Sequence, residues 1–442
     1  MSRFALLLGT LILSACGRAN ERERPNVLLI SIDTLRADHL SLYGYTRDTS
    51  PFLTRFAAGA RVFERAYSPA PWTLIAHMSM LTGLYPPQHG VIDGELALAP
   101  AIPLLAERLA AAGWQTVGLH HPIWVVPRHG FARGFDVFRP HADIAEAEQH
   151  LQEELARLDD TRPTFLFVHL FDVHVGPVVE GQHSIYPAPA PFQEFFRPGA
   201  TAELPLYPGQ LDPHDPVQRE ALTALYDGGI RHVDHELERW FDELEQRGFL
   251  ENALVIVTAD HGENLMERGR NAGHGHFWNE GIQVPLVVRF PDGRGAGERV
   301  PELAHLADIV PTVLEVCGLP RDENLAGRSL RAPLPAERVI LGLTEGIDEP
   351  RAYVMRGTQK IARGMAGGYL ASDLGVDPGE KHGQRLANGQ LFDEWWRAAF
   401  DTTRVFPPAV PIEEALSPEQ KDELAELGYG GAPADEAPEE PR

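Results

Sequence analysis

The chain has 442 residues, with 63 acidic residues against 39 basic ones and a formal net charge of −24 at pH 7. A chain of this length can bury one large core or two smaller ones, so we expect a large domain with a satellite. The acidic balance leaves no basic surface for a phosphate backbone, which excludes nucleic acid as an expected partner. A small anionic substrate stays compatible, because one buried cation can outweigh a surface charge that salt screens over roughly 10 Å.

The N-terminus has the pattern of a secretory signal peptide. Residues 1–15 contain one early basic residue, an apolar stretch and then small residues, and the apolar stretch is too short to span a bilayer. The four residues that end at Cys16, Leu-Ser-Ala-Cys, resemble the bacterial lipobox, whose cysteine carries the lipid. We therefore predict a lipidated Cys16, a polar tether over residues 16–24 and a membrane partner through that anchor. Gly17 favours the outer membrane, so the predicted location is its periplasmic face, with an ordinary exported protein as the alternative.

Four continuous apolar runs predict buried strands, and polar side chains that can bind ligands follow each of them. The runs are residues 27–32, 115–119, 164–170 and 254–258, and the side chains that follow include Asp33, His121, Asp172, His174, Asp260 and His261. Apolar residues at helical spacing over 230–244 predict a helix that leads into the last run. Strands that are apolar on both faces and alternate with helices predict an α/β fold with a large, mostly parallel sheet flanked by helices. The polar side chains then share the carboxyl edge of the sheet, where such folds bind ligands.

From about residue 331 the chain changes to short apolar runs separated by turn residues. This pattern predicts a small antiparallel sheet, so we divide the folded part into a large domain over residues 25–330 and a C-terminal subdomain over 331–429. A capping pattern predicts a helix over 417–428. The tail over 430–442 is rich in Gly, Ala, Pro and Glu and is predicted to be disordered.

Four residues supply the groups that metal-assisted displacement needs. Asp33, Asp260 and His261 offer two carboxylates and an imidazole for a divalent cation. Thr73 lies at the predicted first turn of a helix, and its hydroxyl becomes a useful nucleophile when a cation activates it. The free backbone N–H groups of such a turn also favour an anionic group.

The order of the motifs along the chain resembles the sulfatase family of the alkaline phosphatase superfamily. The resemblance runs from about residue 25 to 430 and rests on the segments 26–40, 71–83, 130–135, 226–234, 258–263, 273–276 and 284–288. It implies a large α/β domain with a smaller C-terminal sheet. It also implies hydrolysis or transfer of sulfuryl or phosphoryl groups on a small anionic ester.

Carried over residue by residue, the resemblance places Asp33, Asp260 and His261 on metal-ligand positions. It places Thr73, which can itself be a metal ligand, on the position of the nucleophile. A hydroxyl in that position predicts a covalent intermediate on threonine.

A second set of residues is implied around the substrate. Asp172, His174, His274 and His121 are candidates to hold a second metal or the substrate, and His174 and His274 are also candidate catalytic residues, as cations or acids. The alternative is a set of hydrogen-bonded loop residues without a catalytic role.

The segment around Thr73 departs from the pattern of sulfatases that use formylglycine. Those enzymes make the aldehyde from Cys or Ser in a Cys/Ser-x-Pro-x-Arg run, whereas this chain has Thr73, Ile75 and His77 at those places. Oxidation of threonine would give a ketone, so the formylglycine route is closed. Related members of the superfamily use threonine directly with zinc. An imidazole in the ligand set favours zinc or manganese, and calcium is possible.

The sequence therefore predicts a metal-dependent hydrolase that cleaves sulfate or phosphate esters through Thr73 without formylglycine. One alternative is a phosphoethanolamine-type transferase that acts on an envelope lipid or glycan, which an anchor at Cys16 would suit. The other is a catalytically inactive lipoprotein that keeps the fold as a binding module. Specificity is expected in the proline-rich stretch over residues 176–216, and the pattern carries no indication of oligomeric state.

Overall fold

The structure, a computed structural model, describes residues 24–176, 185–205, 210–344, 351–364, 368–400 and 402–412. The predicted signal peptide, Cys16, the helix over 417–428 and the tail over 430–442 lie outside these residues. Within the described residues, no helix combines the length and the apolar character needed to cross a membrane.

The described strands divide between a large sheet and two small ones. In chain order they are β1 (Asn26–Ile32), β2 (Arg61–Tyr67), β3 (Leu96–Ala97), β4 (Gln115–His120), β5 (Val137–Pro140), β6 (Thr164–Leu170), β7 (Ala253–Thr258), β8 (Gln283–Val284), β9 (Leu286–Arg289), β10 (Arg299–His305), β11 (Val339–Thr344), β12 (Arg351–Arg356), β13 (Gln359–Arg363), β14 (Tyr369–Asp373), β15 (Gln384–Leu386) and β16 (Val410–Pro411). The large sheet has the order β10-β2-β9-β7-β1-β6-β4-β5, with β8 paired to β2.

The large sheet is mostly parallel, as predicted. β1 lies in its middle and pairs in parallel with β6 on one side and with β7 on the other. β4 continues the parallel arrangement beyond β6. The exceptions are β9, which runs antiparallel to both β7 and β2, and the short β8, which runs antiparallel to β2.

Helices flank the sheet. They are α1 (Pro51–Phe56), α2 (Thr73–Thr82), α3 (Pro86–His89), α4 (Leu105–Ala111), α5 (Ile144–Leu155), α6 (Pro216–Gln246), α7 (Asn279–Ile282), α8 (Ile309–Val316) and α9 (Gln390–Ala399). The helix predicted over 230–244 is the second half of α6. That helix begins earlier because the Asp215 carboxylate accepts hydrogen bonds from the N–H groups of Val217, at 2.8 Å, and Gln218, at 3.4 Å.

The predicted C-terminal antiparallel sheet is confirmed, and it has five strands in the order β11-β12-β13-β14-β15. One helix that the pattern did not predict, α9, covers it. Phe392 and Trp395 of α9 are buried against Leu341 and Val354 of the sheet. The boundary at residue 331 stays a prediction.

Strand register decides which residues meet at the carboxyl edge of the large sheet. Ile32 at the end of β1 is level with Leu170 at the end of β6, and Ser31 is level with Thr258 at the end of β7. The chain segments that leave these three strands therefore diverge from one place. Cys317 is buried in the main apolar cluster.

Candidate active site

Asp33 and Asp260 follow the neighbouring strands β1 and β7 and meet at the carboxyl edge of the sheet. Asp260 Oδ1 accepts hydrogen bonds from the backbone N–H of His261 at 2.8 Å and of Thr34 at 3.3 Å. Thr34 reaches this position with a φ of 55°, a left-handed conformation that costs a non-glycine residue about 1 kcal/mol. The strained turn after β1 therefore holds the Asp260 carboxylate next to Asp33, through the hydrogen bond from the Thr34 N–H.

Thr73 is the first residue of α2 and lies against this pair. Its Oγ1 is 3.2 Å from Asp33 Oδ2 and 3.3 Å from His261 Nε2. Trp72, which precedes it, offers no side-chain cap to the helix. The hydroxyl and the open first turn of α2 thus face the same cluster of buried groups, as the sequence predicts.

The donor set fits a divalent cation. One ligand atom from each of Asp33, Asp260 and His261 lies within 4.8 Å of the other two. Asp33 Oδ1 and Asp260 Oδ2 are buried without a hydrogen-bond partner among the described residues. Burial and the neighbouring Asp260 raise the pKa of Asp33 well above its usual range. Two buried carboxylates beside an imidazole are costly without a cation, and a bound cation removes that cost.

His261 is oriented for this role. Its Nδ1 donates to the carbonyl oxygen of Gly262 at 2.9 Å, which leaves Nε2 with the lone pair. That Nε2 is 3.6 Å from both Asp33 Oδ1 and Asp260 Oδ2. His261 therefore presents the nitrogen that a metal needs to the oxygens that lack partners.

Two buried histidines of the site were not predicted as ligands. His169 Nε2 is 3.0 Å from Asp33 Oδ2, and His77 Nδ1 is 3.6 Å from Asp260 Oδ2. Their ring centroids are 4.5 Å apart. A signal was present for each: His169 interrupts an apolar strand one residue before its end, and His77 lies one helical turn after Thr73 on the same face.

His174 and His274 lie beside the metal-type cluster. The ring centroid of His274 is 4.8 Å from that of His261 and 5.3 Å from that of His174. Burial lowers the pKa of His174 to about 3, and burial with the neighbouring His261 lowers that of His274 well below its usual range. Burial therefore favours the uncharged form of both imidazoles.

His121 is connected to this group through a phenyl ring. Phe171 stacks on His174 with a centroid distance of 4.1 Å and on His121 with a centroid distance of 4.2 Å. Two rings stacked this closely on one phenyl must occupy its opposite faces. His121 is thus one ring removed from His174, and burial lowers its pKa to about 3.

Asp172 points to a different partner. Its Oδ1 accepts a hydrogen bond from the backbone N–H of Ile144, at the start of α5, at 3.0 Å. Two groups of three metal-type donors occur in the described part of the chain, and neither includes Asp172, His174, His274 or His121. A second-metal or substrate role for these four residues stays a prediction.

The C-terminal sheet holds the loop that carries His274. Arg351 of β12 donates to the carbonyl oxygen of Gly275 at 3.1 Å, and Lys360 of β13 donates to that of Phe277 at 2.6 Å. Lys360 also forms a buried ion pair with Glu380 at 2.6 Å. The small sheet therefore helps to position one histidine of the site although it contributes no metal-type ligand from its described residues.

Comparisons with known proteins agree with this architecture. The model of the Sulfatase family matches residues 25–319. Among curated proteins, the N-acetylgalactosamine-6-sulfatase of Canis lupus familiaris is 25% identical over 370 residues, which are 75% of this chain and 68% of the relative. An ulvan-active sulfatase of Formosa agariphila is 23% identical over 344 residues, or 70% of this chain and 54% of the relative. The match to the Drosophila melanogaster extracellular sulfatase SULF-1 homolog covers 44% of this chain and only 17% of that protein.

Solved structures show the same fold. A protein solved in complex with its substrate D-glucosamine-2-N,6-O-disulfate superposes with a TM-score of 0.66 at 17% identity, over 81% of this chain and 93% of the other. The phosphonate monoester hydrolase of Agrobacterium radiobacter superposes with a TM-score of 0.64 at 21% identity, over 85% of this chain and 93% of the other. The family match covers β1, β6 and β7, the three strands that converge at the site, and helix α2. These findings show that the chain belongs to the sulfatase family, within the alkaline phosphatase superfamily, and is related to ester hydrolases.

Proposed function

We propose that this protein is a metal-dependent hydrolase of phosphate or sulfate esters in which Thr73 is the nucleophile and formylglycine plays no part. One observation carries the proposal. Thr73 Oγ1 lies within 3.3 Å of both Asp33 Oδ2 and His261 Nε2, in a buried donor set that fits a divalent cation. Among the described residues the hydroxyl of Thr34 also contacts Asp33, but it donates to the backbone carbonyl oxygen at 2.8 Å and not to the carboxylate.

Asp33, Asp260 and His261 would hold the cation, with zinc or manganese favoured by the imidazole. When bound, it supplies Lewis-acid chemistry that lowers the pKa of a nearby hydroxyl and neutralises charge on the transferred group. The chain itself holds the proton of the Thr73 hydroxyl against Asp33 Oδ2. The first turn of α2 adds backbone N–H groups that favour an anion at the same place.

The reaction would proceed in two displacements. A bond forms between Thr73 Oγ1 and phosphorus or sulfur while the bond to the ester oxygen of the leaving group breaks. The hydroxyl proton passes to Asp33 Oδ2, which Thr73 Oγ1 contacts at 3.2 Å, and from there, by way of His174 or His274 as the candidate acid, to the leaving oxygen. Water then attacks the threonyl ester, its proton returns to Thr73, and phosphate or sulfate is released.

The second displacement favours phosphate esters over sulfate esters. An aldehyde hydrate carries a second hydroxyl on the same carbon, so it can expel sulfate by breaking a carbon–oxygen bond. Thr73 carries a methyl group there and must be freed by attack at phosphorus or sulfur. In-line displacement at phosphorus with metal assistance is the well-established form of such a step.

The test compares two threonines on one helix. Thr73→Ala should reduce turnover of aryl phosphate monoesters, diesters, phosphonates or sulfates by about 10³-fold or more, while the zinc content stays near that of the wild type. Thr82→Ala is the matched control, because Thr82 is equally buried on α2 and its hydroxyl bonds to backbone groups, donating to the carbonyl oxygen of Met78 and accepting from the N–H of Leu84. Mass spectrometry of quenched turnover mixtures should find a phosphoryl or sulfuryl adduct on the peptide that contains Thr73.

The outcomes separate the alternatives. Unchanged turnover in Thr73→Ala would remove Thr73 as the nucleophile. An adduct that is released only when an alcohol or amino alcohol is added would indicate the transferase. Bound metal with no turnover of any ester would indicate a binding protein.

We also propose that the hydrolase works at a membrane surface through lipid on Cys16. The support is the lipobox resemblance at residues 13–16. If radiolabelled palmitate is incorporated into the wild type but not into Cys16→Ala, the result supports a lipid anchor on Cys16. Equal incorporation into both proteins would contradict it.

A further inference from the structure

The turn after β1 is held by a tyrosine of a distant helix. We call residues 33–36 the Thr34 turn. The hydroxyl of Tyr226, on α6, donates to the carbonyl oxygen of Thr34 at 2.7 Å and accepts from the backbone N–H of Arg36 at 2.9 Å. Tyr226 and Thr34 are fully buried, and Arg36 is 5% exposed. One side chain, 190 positions away from Arg36 in the chain, therefore satisfies two buried backbone groups of one turn, and the mechanism above gives it no role.

The Thr34 turn in turn contacts the segment that follows β7. The N–H of Thr34 donates to Asp260 Oδ1 at 3.3 Å, and Arg36 Nη1 donates to the carbonyl oxygen of Glu263 at 3.0 Å. These two contacts lie on either side of His261 in the chain. A shift of the Thr34 turn would therefore move both a carboxylate and the backbone next to an imidazole of the donor set.

The Thr34 turn has to be held because its backbone is strained. Thr34 has a φ of 55°, a left-handed conformation that is unusual for a β-branched residue. Such conformations persist only where the surrounding structure enforces them. If the Tyr226 hydroxyl were absent, Thr34 could relax towards a negative φ, and its N–H would turn away from Asp260.

Tyr226 is itself fixed by the residue that follows it on α6. Asp227 is fully buried, and its carboxylate binds three side chains of the segment after the Thr34 turn. They are His39, with Nδ1 at 2.7 Å, Tyr45, with its hydroxyl at 2.8 Å, and Arg47, with Nη1 at 2.7 Å. The Tyr226 ring also lies edge-on to the His39 ring, with centroids 5.2 Å apart. Tyr226 is therefore anchored independently of the turn that it holds.

We propose that Tyr226 is a positioning residue of the active site. Its hydroxyl fixes the Thr34 turn and, through the Thr34 N–H, the Asp260 carboxylate beside Asp33. The inference rests on the proposed function for the cation that these carboxylates would hold, and it does not depend on which group is the nucleophile. Groups that orient metal ligands typically contribute 10–100-fold in metal affinity, so loss of this hydroxyl should weaken zinc binding by about 10-fold or more.

The test compares two tyrosines whose hydroxyls make the same kinds of bond. Tyr43 donates to the carbonyl oxygen of Phe63 at 3.2 Å and accepts from the N–H of Leu286 at 2.9 Å. In the described part of the chain, neither of these bonds involves a residue of the donor set. Zinc dissociation constants are measured on purified full-length protein by competition with a chromophoric chelator. Tyr226→Phe should raise the zinc Kd by about 10-fold or more, and Tyr43→Phe should leave it unchanged.

A second variant tests whether strain in the Thr34 turn is the reason. Asparagine adopts the left-handed conformation more readily than threonine does, so Thr34→Asn should keep the turn in place with less help from Tyr226. The increase in zinc Kd caused by Tyr226→Phe should therefore be smaller in the Thr34→Asn background than in the wild-type background. In metal-free buffer, Tyr226→Phe should likewise lower the urea midpoint less in that background.

Three results would overturn the proposal. The first is an equal zinc Kd in the wild type and Tyr226→Phe, the second is an equal increase in Tyr43→Phe, and the third is an effect of Tyr226→Phe that Thr34→Asn does not change. If circular dichroism shows that Tyr226→Phe alone is unfolded, Thr34→Asn is compared with Thr34→Asn/Tyr226→Phe, and equal zinc Kd values in that pair would also overturn it. None of these measurements uses turnover, so they are distinguishable from a failure of the proposed nucleophile, which would show as activity in Thr73→Ala.

Discussion

His169 Nε2 lies 3.0 Å from Asp33 Oδ2, and both side chains are fully buried. The two residues are 136 positions apart in the chain and meet because β1 and β6 are neighbours in register. The contact orients the Asp33 carboxylate while Thr73 Oγ1 approaches the same oxygen at 3.2 Å. The Asp33 carboxylate is therefore positioned by His169 of β6 and by Thr73 of α2.

Removal of metal should destabilise the protein as well as inactivate it. A cation bound by Asp33, Asp260 and His261 stabilises only the folded state, by about 4 kcal/mol when its concentration is a thousand times Kd. We expect a chelator to abolish turnover and to lower Tm, with zinc or manganese restoring both more effectively than calcium. Thermal unfolding with and without chelator measures this. In Asp33→Asn the chelator should have a much smaller effect on Tm, and an equal effect would contradict the assignment.

Gly262 should be intolerant of a side chain. A Cβ at this position would lie 2.1 Å from the carbonyl oxygen of Glu280, and Gly262 also accepts the Nδ1 hydrogen bond of His261. Gly262→Ala should lower the free energy of unfolding by about 3 kcal/mol and reduce metal affinity through His261. Urea denaturation and zinc titration measure the two effects. Gly59→Ala, with no atom within 4 Å of its Cβ, should change stability by less than about 0.5 kcal/mol.

The buried pair of Lys360 and Glu380 should show strong coupling. Lys360→Met leaves the Glu380 carboxylate buried without its cation and frees the carbonyl oxygen of Phe277, so we expect a loss of about 4 kcal/mol. Because Phe277 lies three residues from His274, KM or kcat should also change. Adding Glu380→Gln to Lys360→Met should restore much of the stability. A double variant as unstable as the sum of the single variants would contradict the coupling.

Stability should fall with rising pH because of Asp172. Burial raises the pKa of this carboxyl to about 7, well above its value in the unfolded chain. Between pH 4 and pH 7 the unfolded state has lost the proton that the folded state keeps, so the free energy of unfolding decreases as pH rises and levels off above the folded pKa. Asp172→Asn carries no charge at this position, so its free energy of unfolding at pH 8 should be higher than that of the wild type by up to about 4 kcal/mol. The asparagine oxygen can still accept the hydrogen bond from the Ile144 N–H.

Urea denaturation of both proteins from pH 4 to pH 8 tests this pH dependence. The slope should diminish without vanishing, since burial also raises the pKa of Glu263 to about 8. Identical slopes in the wild type and the variant would contradict it. Loss of turnover in Asp172→Asn at unchanged metal content would support the substrate-binding role predicted for Asp172.

The local pattern was sufficient for the central strands and for the meeting of Asp33, Asp260 and His261 at one place, and their role as metal ligands stays a prediction. Continuous apolar runs such as 27–32 can be buried on both faces only in a covered sheet, so they indicate parallel strands without knowledge of their neighbours. Asp33, Asp260 and His261 follow such runs, and the carboxyl ends of parallel strands converge. The family resemblance then assigned Thr73 to the same place, where the structure also puts its hydroxyl.

Other features could not be read from the chain. Helix α9 was missed because its apolar face has meaning only against the C-terminal sheet, and β9 was not recognised as the antiparallel member of the large sheet because pairing direction depends on the whole connection. Asp172 follows its strand just as Asp33 does, yet it turns to the start of α5, since a hydrogen bond from Ile144 was within reach.

The sequence by itself determined the family, the α/β architecture and a threonine where related enzymes have an oxidisable residue, because these depend on local pattern and on the order of motifs. Only the tertiary structure decided that His77 and His169 share one buried cluster with Asp33 and Asp260. A histidine within an apolar strand and another one turn along a helix look like core residues until register and packing bring them together. His77 Nε2 and His169 Nδ1 are buried there without a hydrogen-bond partner among the described residues. That depends on neighbours that are distant in the chain, so it cannot be read from the sequence.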